Sequence, residues 1–166
     1  MGELKKIIEL DGVCFSYETG KPVLDNLTFA LSKGEKLGLI GYNGSGKTTL
    51  MHIIMGLIQP SSGAIRLAGK PVVTKKDFLE VRRRIGFLFQ NADDQLFSPT
   101  VLEDVAFGPL NHGTSPKKAR EMAMETLAQL NLQGFENRIT HKLSGGEKKL
   151  VSLATVLVMK PDALLL

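Results

Sequence analysis

Apolar and polar residues alternate along the first third of the chain with the period of two that is typical of β-strands. The alternation covers residues 4–17 and, after a turn at 18–22, residues 23–31. Two shorter apolar runs, at 37–40 and 64–67, predict further strands. Because tight turns join the first strands, we expect them to form an antiparallel β piece.

Beyond residue 48 the apolar positions mostly recur at the spacing of about 3.6 residues that marks one face of a helix. This spacing predicts helices at 49–57, 75–84, 101–107, 116–130 and after 143. Pro109 and Gly113 are expected to end the third of these helices. Apolar runs at 85–89 and 163–166 predict two more strands. The order of the elements predicts an α/β fold with an inserted helical stretch at 91–140.

The composition is that of a soluble α/β protein, with 43% apolar and 23% charged residues and a net charge of +4. The only cysteine, Cys14, excludes a disulfide framework and a cysteine metal site. The longest apolar stretch, at 150–159, is far too short to span a bilayer. Residues 1–10 lack a continuous apolar core, so we expect no export signal.

The segment GYNGSGKT at 41–48 fits the pattern G-x-x-x-x-G-K-[ST], and it lies between an apolar run and a helical pattern. Glycines let successive backbone N–H groups turn inward, and the following helix adds unpaired N–H groups and the positive end of its dipole. Lys47 supplies charge for the β- and γ-phosphates of a nucleotide, and the hydroxyl of Thr48 is suited to bind Mg²⁺. The predicted binding residues are Asn43, Gly44, Ser45, Gly46, Lys47, Thr48 and Thr49.

A second glycine bend, LSGGE at 143–147, also precedes a helix, and we call it the signature segment. Ser144, Gly145, Gly146 and Glu147 present backbone N–H groups that suit an anion. Because the 41–48 loop already binds one set of phosphates, we expect the signature segment to face a nucleotide held by another copy. The two bends together predict an isologous dimer with two shared sites.

Tyr17 lies upstream of the 41–48 loop and has two interpretations from its spacing alone. Its ring stacks on the adenine of the nucleotide, or it is a buried strand aromatic paired with Phe15.

The 41–48 loop, Gln90 at the end of its predicted strand, and the signature segment resemble the Walker A, Q-loop and signature motifs of ABC-transporter ATPase subunits. The stretch at 89–109 is similar to energy-coupling-factor and cobalt/nickel importer ATPases. The resemblance implies a P-loop NTPase (RecA-like) core with an N-terminal antiparallel β piece and an inserted α-helical subdomain. We predict a single, incomplete ABC ATPase domain over 1–166. Its parts are the β piece and nucleotide-binding core at 1–90, the helical subdomain at 91–140, and the signature helix and a last strand at 141–166.

The resemblance also implies roles for residues. Tyr17 would stack on adenine, Gln90 would contact Mg²⁺ and the attacking water, and Ser144 and Gly146 would touch the γ-phosphate held by the opposite subunit. The implied ligands are ATP and Mg²⁺. The implied partners are a second ATPase subunit, identical or related, and transmembrane importer subunits docked on the loop at 91–109. We expect a peripheral position on the cytoplasmic face of the cell membrane and no nucleic-acid partner.

The sequence departs from the family pattern at its last strand. The family has Asp-Glu-Pro after an apolar strand, whereas the run at 163–166 is the last of the sequence. We therefore expect the Mg²⁺-supporting aspartate, the catalytic glutamate, the switch histidine and the C-terminal strands to be missing, and hydrolysis by these residues alone to be very slow. Leu150 stands where the family usually has arginine.

The leading interpretation is the ATP-binding subunit of an importer for a transition-metal ion, such as cobalt or nickel, or for a vitamin. One alternative is a non-hydrolysing nucleotide-binding module. Another is a soluble DNA-repair-type ABC ATPase, but the insertion usual in that class is not evident between Thr48 and Leu143.

Overall fold

The computed structural model describes residues 5–17 and 20–166. Leu4, which begins the first predicted strand, and Glu18 and Thr19 of the predicted turn lie outside the described residues. The chain divides into two compact units, Met1–Ile85 and Gly86–Leu166.

A four-stranded antiparallel sheet organises the first unit. Its strands are β1 (Lys6–Ser16), β2 (Pro22–Ser32), β3 (Ser62–Leu67) and β4 (Lys70–Pro71), in the order β2-β1-β3-β4. The alternation in the sequence is confirmed here, because Ile8, Leu10 and Val13 are buried. The turn predicted after residue 67 is present, but it covers only residues 68 and 69 and is followed by a short strand that was not predicted. Residues 70 and 71 return alongside β3 as a two-residue strand, because Ala68 and Gly69 both have positive φ and reverse the chain tightly.

The strand predicted at 37–40 is wrong. Residues 35–42 have no regular structure, and no backbone hydrogen bond joins residues 37–40 to another described segment. Leu37 and Ile40 are exposed, Ile40 almost completely. A strand depends on a neighbouring strand for its hydrogen bonds, so an apolar run without a partner stays irregular.

Two helices complete the first unit. Helix α1 (Lys47–Ile54) starts at the 41–48 loop and is shorter than the predicted helix at 49–57. It ends because Gly56 adopts φ 64 and a Cβ there would lie 2.2 Å from the ring of Phe78. Helix α2 (Lys75–Arg84) matches its prediction and starts with a capping box between Thr74 and Asp77.

The second unit is built from three helices around one core. They are α3 (Val101–Asn111), α4 (Pro116–Gln129) and α5 (Gly145–Leu157), with 3₁₀ turns at Ala92–Asp94 and Thr140–Lys142. The core residues are almost fully buried and come from all three helices and the connections between them: Val101, Val105, Ala119, Ala123, Leu127, Leu132, Leu143, Val151, Ala154 and Val158. Among the described residues, no helix has both the length and the apolarity that a bilayer crossing needs.

Pro109 does not end its helix, which corrects the prediction for 101–107. Helix α3 continues through Pro109 to Asn111. Proline has no N–H to donate, but the turn that follows is closed by His112, whose N–H bonds to the carbonyls of Gly108 and Pro109. Gly113 follows with φ 83 and leaves the helix as predicted.

A two-stranded sheet pairs β5 (Ile85–Phe87) with β6 (Ala163–Leu165). Both strands were predicted, and β5 is shorter than the apolar run at 85–89 because only the N–H of Leu88 continues the pairing, to the carbonyl of Leu165 at 2.9 Å. Gly86 lies directly against α5, since a Cβ there would lie 2.2 Å from Val156. This close packing fixes the start of the segment that leads to Gln90.

Candidate functional site

The 41–48 loop is a tight bend whose shape depends on glycine. Gly44 and Gly46 have φ of 82° and 89°, in the left-handed region. A Cβ on Gly46 would lie 3.0 Å from the carbonyl oxygen of Val23, so the loop packs against β2 without space for a side chain. The N–H of Ser45 donates to the carbonyl of Tyr42 at 3.2 Å and closes the bend.

The ammonium of Lys47 lies inside this bend. Its Nζ donates to the carbonyl oxygens of Gly41 and Tyr42, both at 2.8 Å, and approaches Ser45 Oγ at 3.4 Å. Lys47 pairs with no carboxylate in the described part of the chain. The charge is therefore held by neutral dipoles, which an anionic ligand can replace.

The N-terminus of α1 differs from those of the other described helices. Helices α2, α3, α4 and α5 each have a serine or threonine side chain that accepts a hydrogen bond from the first turn. Helix α1 begins at Lys47, after the N-cap residue Gly46, with no side-chain cap and no acidic residue in its first turn. Its first N–H groups and the positive end of its dipole thus lack a side-chain partner at the point where Lys47 and the exposed Thr48 lie.

Tyr17 combines features of its two interpretations. Its ring packs edge-on against Phe15, with centroids 4.8 Å apart, yet Tyr17 is 51% exposed. The phenol oxygen is 3.2 Å from Oγ1 of Thr49, in the first turn of α1. The contact with Thr49 thus keeps the half-exposed ring of Tyr17 close to the first turn of α1, next to the 41–48 loop.

The signature segment is a fully formed capping box. Ser144 Oγ accepts the N–H of Glu147 at 3.4 Å, and Glu147 Oε2 accepts the N–H of Ser144 at 2.7 Å. Gly145 and Gly146 are exposed, and a Cβ on either would meet no atom within 4 Å. An approaching ligand therefore has open access to the N-terminus of α5.

Arg138 fixes this cap from outside and was missed by the sequence analysis. Its Nη1 lies 2.8 Å from Glu147 Oε1, and its guanidinium lies 4.2 Å from the ring centroid of Phe135. The hydrogen bond from Arg138, then the bonds from Ser144, lower the pKa of Glu147 to about 2. No periodic signal in the sequence marks a partner nine residues before a glutamate.

Gln90 follows β5 in an exposed bend, and its side chain makes no hydrogen bond within the described residues. The next residues are held by two side chains that the sequence analysis also missed. Gln95 bonds to Phe89 and to α5, and Asp104 Oδ1 accepts the N–H groups of Phe97 and Ser98 at 3.2 and 2.9 Å. Burial raises the pKa of Asp104.

A cleft of about 520 Å³ lies beside this segment in the second unit. It is lined by polar and apolar side chains, among them Asp93, Phe97, Thr100, His141 and Lys148. Phe97 and Phe107 form an edge-on pair, with centroids 4.6 Å apart, and both rings are exposed. The residues predicted to meet a partner therefore do include an exposed aromatic surface.

Metal-binding groups are sparse. The described residues contain no group of three or more His, Cys, Asp or Glu side chains that could hold a metal ion. The exposed hydroxyl of Thr48, beside Lys47, fits a Mg²⁺ ion that takes most of its other ligands from nucleotide phosphates and water.

Comparison with known proteins gives consistent matches. A family model described as ABC transporter matches residues 24–166. A protein of Nitratidesulfovibrio vulgaris described as an ABC transporter ATP-binding protein is 58% identical over 161 residues, which are 96% of this chain and 59% of that protein. The energy-coupling factor transporter ATP-binding protein EcfA of Methanocaldococcus jannaschii is 44% identical over 161 residues, 96% of this chain and 58% of that protein.

The structural match agrees with these relatives. The structure of cbiO1 from Clostridium perfringens, part of the ABC transporter complex cbiONQ, is 34% identical and superposes with a TM-score of 0.84. The match covers 96% of this chain and 64% of that one. The predicted fold class, a P-loop NTPase with an antiparallel β piece and added helices, is confirmed. The chain spans somewhat less than two thirds of the length of these three proteins.

Proposed function

The chain belongs to the ABC transporter family of ATP-binding proteins, and on this premise we propose that it is the ATP-driving subunit of an importer. The observation that carries the proposal is the head of α1, where the helix has no side-chain cap and Lys47 lies inside the 41–48 loop. Unpaired N–H groups at a helix N-terminus beside a mobile ammonium are suited to a polyphosphate.

Binding begins with an exchange of partners at Lys47. The backbone N–H groups of residues 43–49 bind phosphate oxygens, and Lys47 moves from the carbonyls of Gly41 and Tyr42 to the β- and γ-phosphates. The exchange is favourable because phosphate oxygens carry full negative charge, whereas carbonyl oxygens carry only partial charge. Tyr17 stacks on the adenine with the ring face that Phe15 leaves open.

Thr48 and Gln90 are the residues that would hold Mg²⁺, and Gln90 would also orient the attacking water. When bound, Mg²⁺ supplies positive charge that neutralises the phosphates during phosphoryl transfer. The chain's own contribution to this step is placement, because little of the catalysis of phosphoryl transfer is covalent.

The signature segment completes the site of a second protomer. The Oγ atom of Ser144 already accepts the N–H of Glu147, so its proton is left to donate to a γ-phosphate oxygen. Gly145 and Gly146 are exposed, with no atom within 4 Å of an added Cβ, and their N–H groups at the start of α5 would add donors. We propose that two ATPase subunits, identical or related, close on two nucleotides and that hydrolysis reopens them.

The segment at 91–109 supplies the surface for the transmembrane subunits. The exposed pair of Phe97 and Phe107 beside the cleft offers aromatic anchors of the kind that dominate interfaces. Relatives are an energy-coupling factor protein and part of a cbiONQ complex. We therefore propose a transition-metal ion, such as cobalt or nickel, or a vitamin as cargo, and a position at the cytoplasmic face of the cell membrane.

The rate of hydrolysis depends on residues beyond the described motifs. Lys47, Thr48 and Gln90 stand at motif positions, but no residue of the 166 stands at the positions of the Walker B aspartate or the glutamate after it. We propose that a polypeptide of these 166 residues binds ATP and hydrolyses it barely or not at all. In that form it would act as the non-hydrolysing nucleotide-binding module; we see no observation that favours a DNA-repair role.

The proposal is tested by transport. The full-length protein is co-expressed with the membrane subunits encoded beside it, and ATP-dependent uptake of labelled Co²⁺, Ni²⁺ and vitamins is measured in vesicles. We expect uptake of one of these cargoes, its loss in Lys47→Ala, and its retention in Lys70→Ala, a matched change at an exposed lysine of β4. Uptake that is unaffected by Lys47→Ala would contradict the proposal.

A further inference from the structure

The side chain of Gln95 joins the segment around Gln90 to helix α5. Its Oε1 accepts the N–H of Phe89, the residue before Gln90, at 3.1 Å. Its Nε2 donates to the carbonyl oxygen of Ser152 at 2.9 Å and to Oγ1 of Thr155 at 2.8 Å. The oxygen of the Gln95 amide therefore bonds to the segment around Gln90, and its nitrogen bonds to α5.

A second contact ties the same segment to the first turn of α5. Lys148 Nζ lies 2.6 Å from Asp93 Oδ1, and the Lys148 side chain is only 18% exposed. Within the segment, Asn91 Oδ1 accepts the N–H of Asp93 at 3.2 Å and keeps the turn in shape. Residues 89–95, which we call the Gln90 segment, are therefore attached to α5 at two points along the helix.

The partners of the Gln95 side chain on α5 are largely shielded from water. Ser152 is 1% exposed, and Thr155 is half-buried. The carbonyl oxygen of Ser152 also accepts a hydrogen bond from the Thr155 hydroxyl at 2.8 Å. The Gln95 amide, the Ser152 carbonyl and the Thr155 hydroxyl therefore form one small network. Loss of a donor in such a place leaves polar groups unpaired, which costs more than the average hydrogen bond contributes.

We propose that Gln95 is a positioning residue that couples the Gln90 segment to the signature segment through α5. Helix α5 begins at the cap formed by Ser144, so a shift of the Gln90 segment moves the N-terminus of α5 with it. Gln95 is not among the predicted nucleotide- or metal-binding residues, and its effect passes through Phe89 and Thr155. The inference rests on the proposed function, since it concerns the ATPase cycle of the assembled transporter.

The experiment uses four single variants at Gln95 and Thr155 in the full-length protein of the assembled transporter, and a double variant and Lys47→Ala are added for comparison. Gln95→Glu keeps an acceptor for the N–H of Phe89 but replaces the donor to Ser152 with a negative oxygen. Gln95→Met removes both the acceptor and the donor of the amide and keeps a side chain of similar size. Thr155→Val removes the hydroxyl of the network, and Thr155→Ser retains it as the matched control.

The readouts are ATPase kcat and KM, and hydrogen exchange at the Phe89 amide. We expect Gln95→Glu, Gln95→Met and Thr155→Val to lower kcat about tenfold, within the range for residues that carry coupling. We expect KM for ATP to stay within about twofold, because the 41–48 loop is untouched, and Thr155→Ser to behave as wild type. The Phe89 amide should exchange faster in Gln95→Met and stay protected in Gln95→Glu.

The double variant Gln95→Met with Thr155→Val should be no slower than the slower single variant, because the two changes remove one shared interaction. A wild-type kcat in Gln95→Glu and Gln95→Met, or additive losses in the double variant, would overturn the inference. Lys47→Ala in the same assay separates the two claims. If Lys47→Ala is inactive and the Gln95 variants are normal, only the role of Gln95 fails; if Lys47→Ala is active, the proposed function fails.

Discussion

The Nζ atom of Lys47 lies 2.8 Å from the carbonyl oxygen of Tyr42, inside the 41–48 loop to which Lys47 belongs. The ammonium of Lys47 and the carbonyl groups of Gly41 and Tyr42 thus satisfy each other's hydrogen bonding. The contact keeps a flexible side chain near the place where it is needed, which reduces the entropy lost on binding. Under the proposed function, nucleotide binding displaces Lys47 from these carbonyls, so we expect the affinity to be sensitive to changes at Lys47.

Tyr17 is predicted to contribute to nucleotide affinity through stacking. Stacking of a base on an aromatic side chain contributes about 1–3 kcal/mol, so Tyr17→Ala should weaken ATP binding by roughly 5–150-fold. Titration calorimetry with ATP measures the change. Tyr17→Phe is the matched control, because it keeps the ring and loses only the 3.2 Å contact with Thr49. Equal affinity in wild type and Tyr17→Ala would remove Tyr17 from the site.

Gly46 is predicted to be irreplaceable in the 41–48 loop. An alanine in the left-handed region costs about 1–2 kcal/mol, and at position 46 its Cβ would also lie 3.0 Å from the Val23 carbonyl. Gly34→Ala is the matched control, since Gly34 has φ 80 and no atom within 4 Å of an added Cβ.

Denaturant unfolding and ATP titration of the two alanine variants separate strain from function. Gly34→Ala should lose about 1–2 kcal/mol of stability and keep its ATP affinity. Gly46→Ala should lose more stability and bind ATP more weakly. The loop geometry described above is incorrect if Gly46→Ala binds ATP as well as Gly34→Ala does.

Glu147 is predicted to make the stability of the second unit depend on acid pH. Its pKa is lowered from 4.5 to about 2, chiefly by the hydrogen bond from Arg138. A lowered folded-state pKa means that the stabilisation is complete above the unfolded value and is lost as pH falls through the folded value. The loss therefore belongs to the window between pH 4.5 and about 2.

Glu147→Gln isolates this contribution, because glutamine still accepts the N–H of Ser144 but cannot pair with Arg138 as an ion. We expect the variant to be less stable than wild type at pH 7, with the difference shrinking towards pH 2. Arg138→Gln should give the same convergence. Parallel stability curves across this window would show that the ion pair contributes nothing.

The elements with a clear period were predictable and the contacts between distant residues were not. The strands around Ile8 and Leu10 and the helix at 75–84 follow from local alternation and spacing. The run at 37–40 has the apolar character of a strand but no partner among the described segments, so the local pattern misled. Pro109 was predicted to end its helix because proline lacks an N–H and usually breaks a helix interior, but α3 continues to Asn111, and His112 closes its last turn.

The candidate site shows the same division. The 41–48 loop and the signature segment are each one uninterrupted stretch of sequence. Their glycine, lysine and serine residues stand at fixed spacings, so both segments could be predicted. Gln95 reaches residues 57 and 60 positions away, and Arg138 reaches Glu147 from a separate turn. Such contacts depend on how α5 packs against the preceding segments, and the sequence carries no periodic trace of them.

The most direct test of triphosphate binding by the 41–48 loop is calorimetric titration with Mg²⁺ and ATP of wild type, Lys47→Ala and Lys70→Ala. We predict saturable binding by wild type and Lys70→Ala at equal affinity. Charge-assisted hydrogen bonds contribute about 1.5–3 kcal/mol, so Lys47→Ala should bind roughly 10–150-fold more weakly. Equal affinity in all three proteins, or no saturable binding by wild type, would contradict the account.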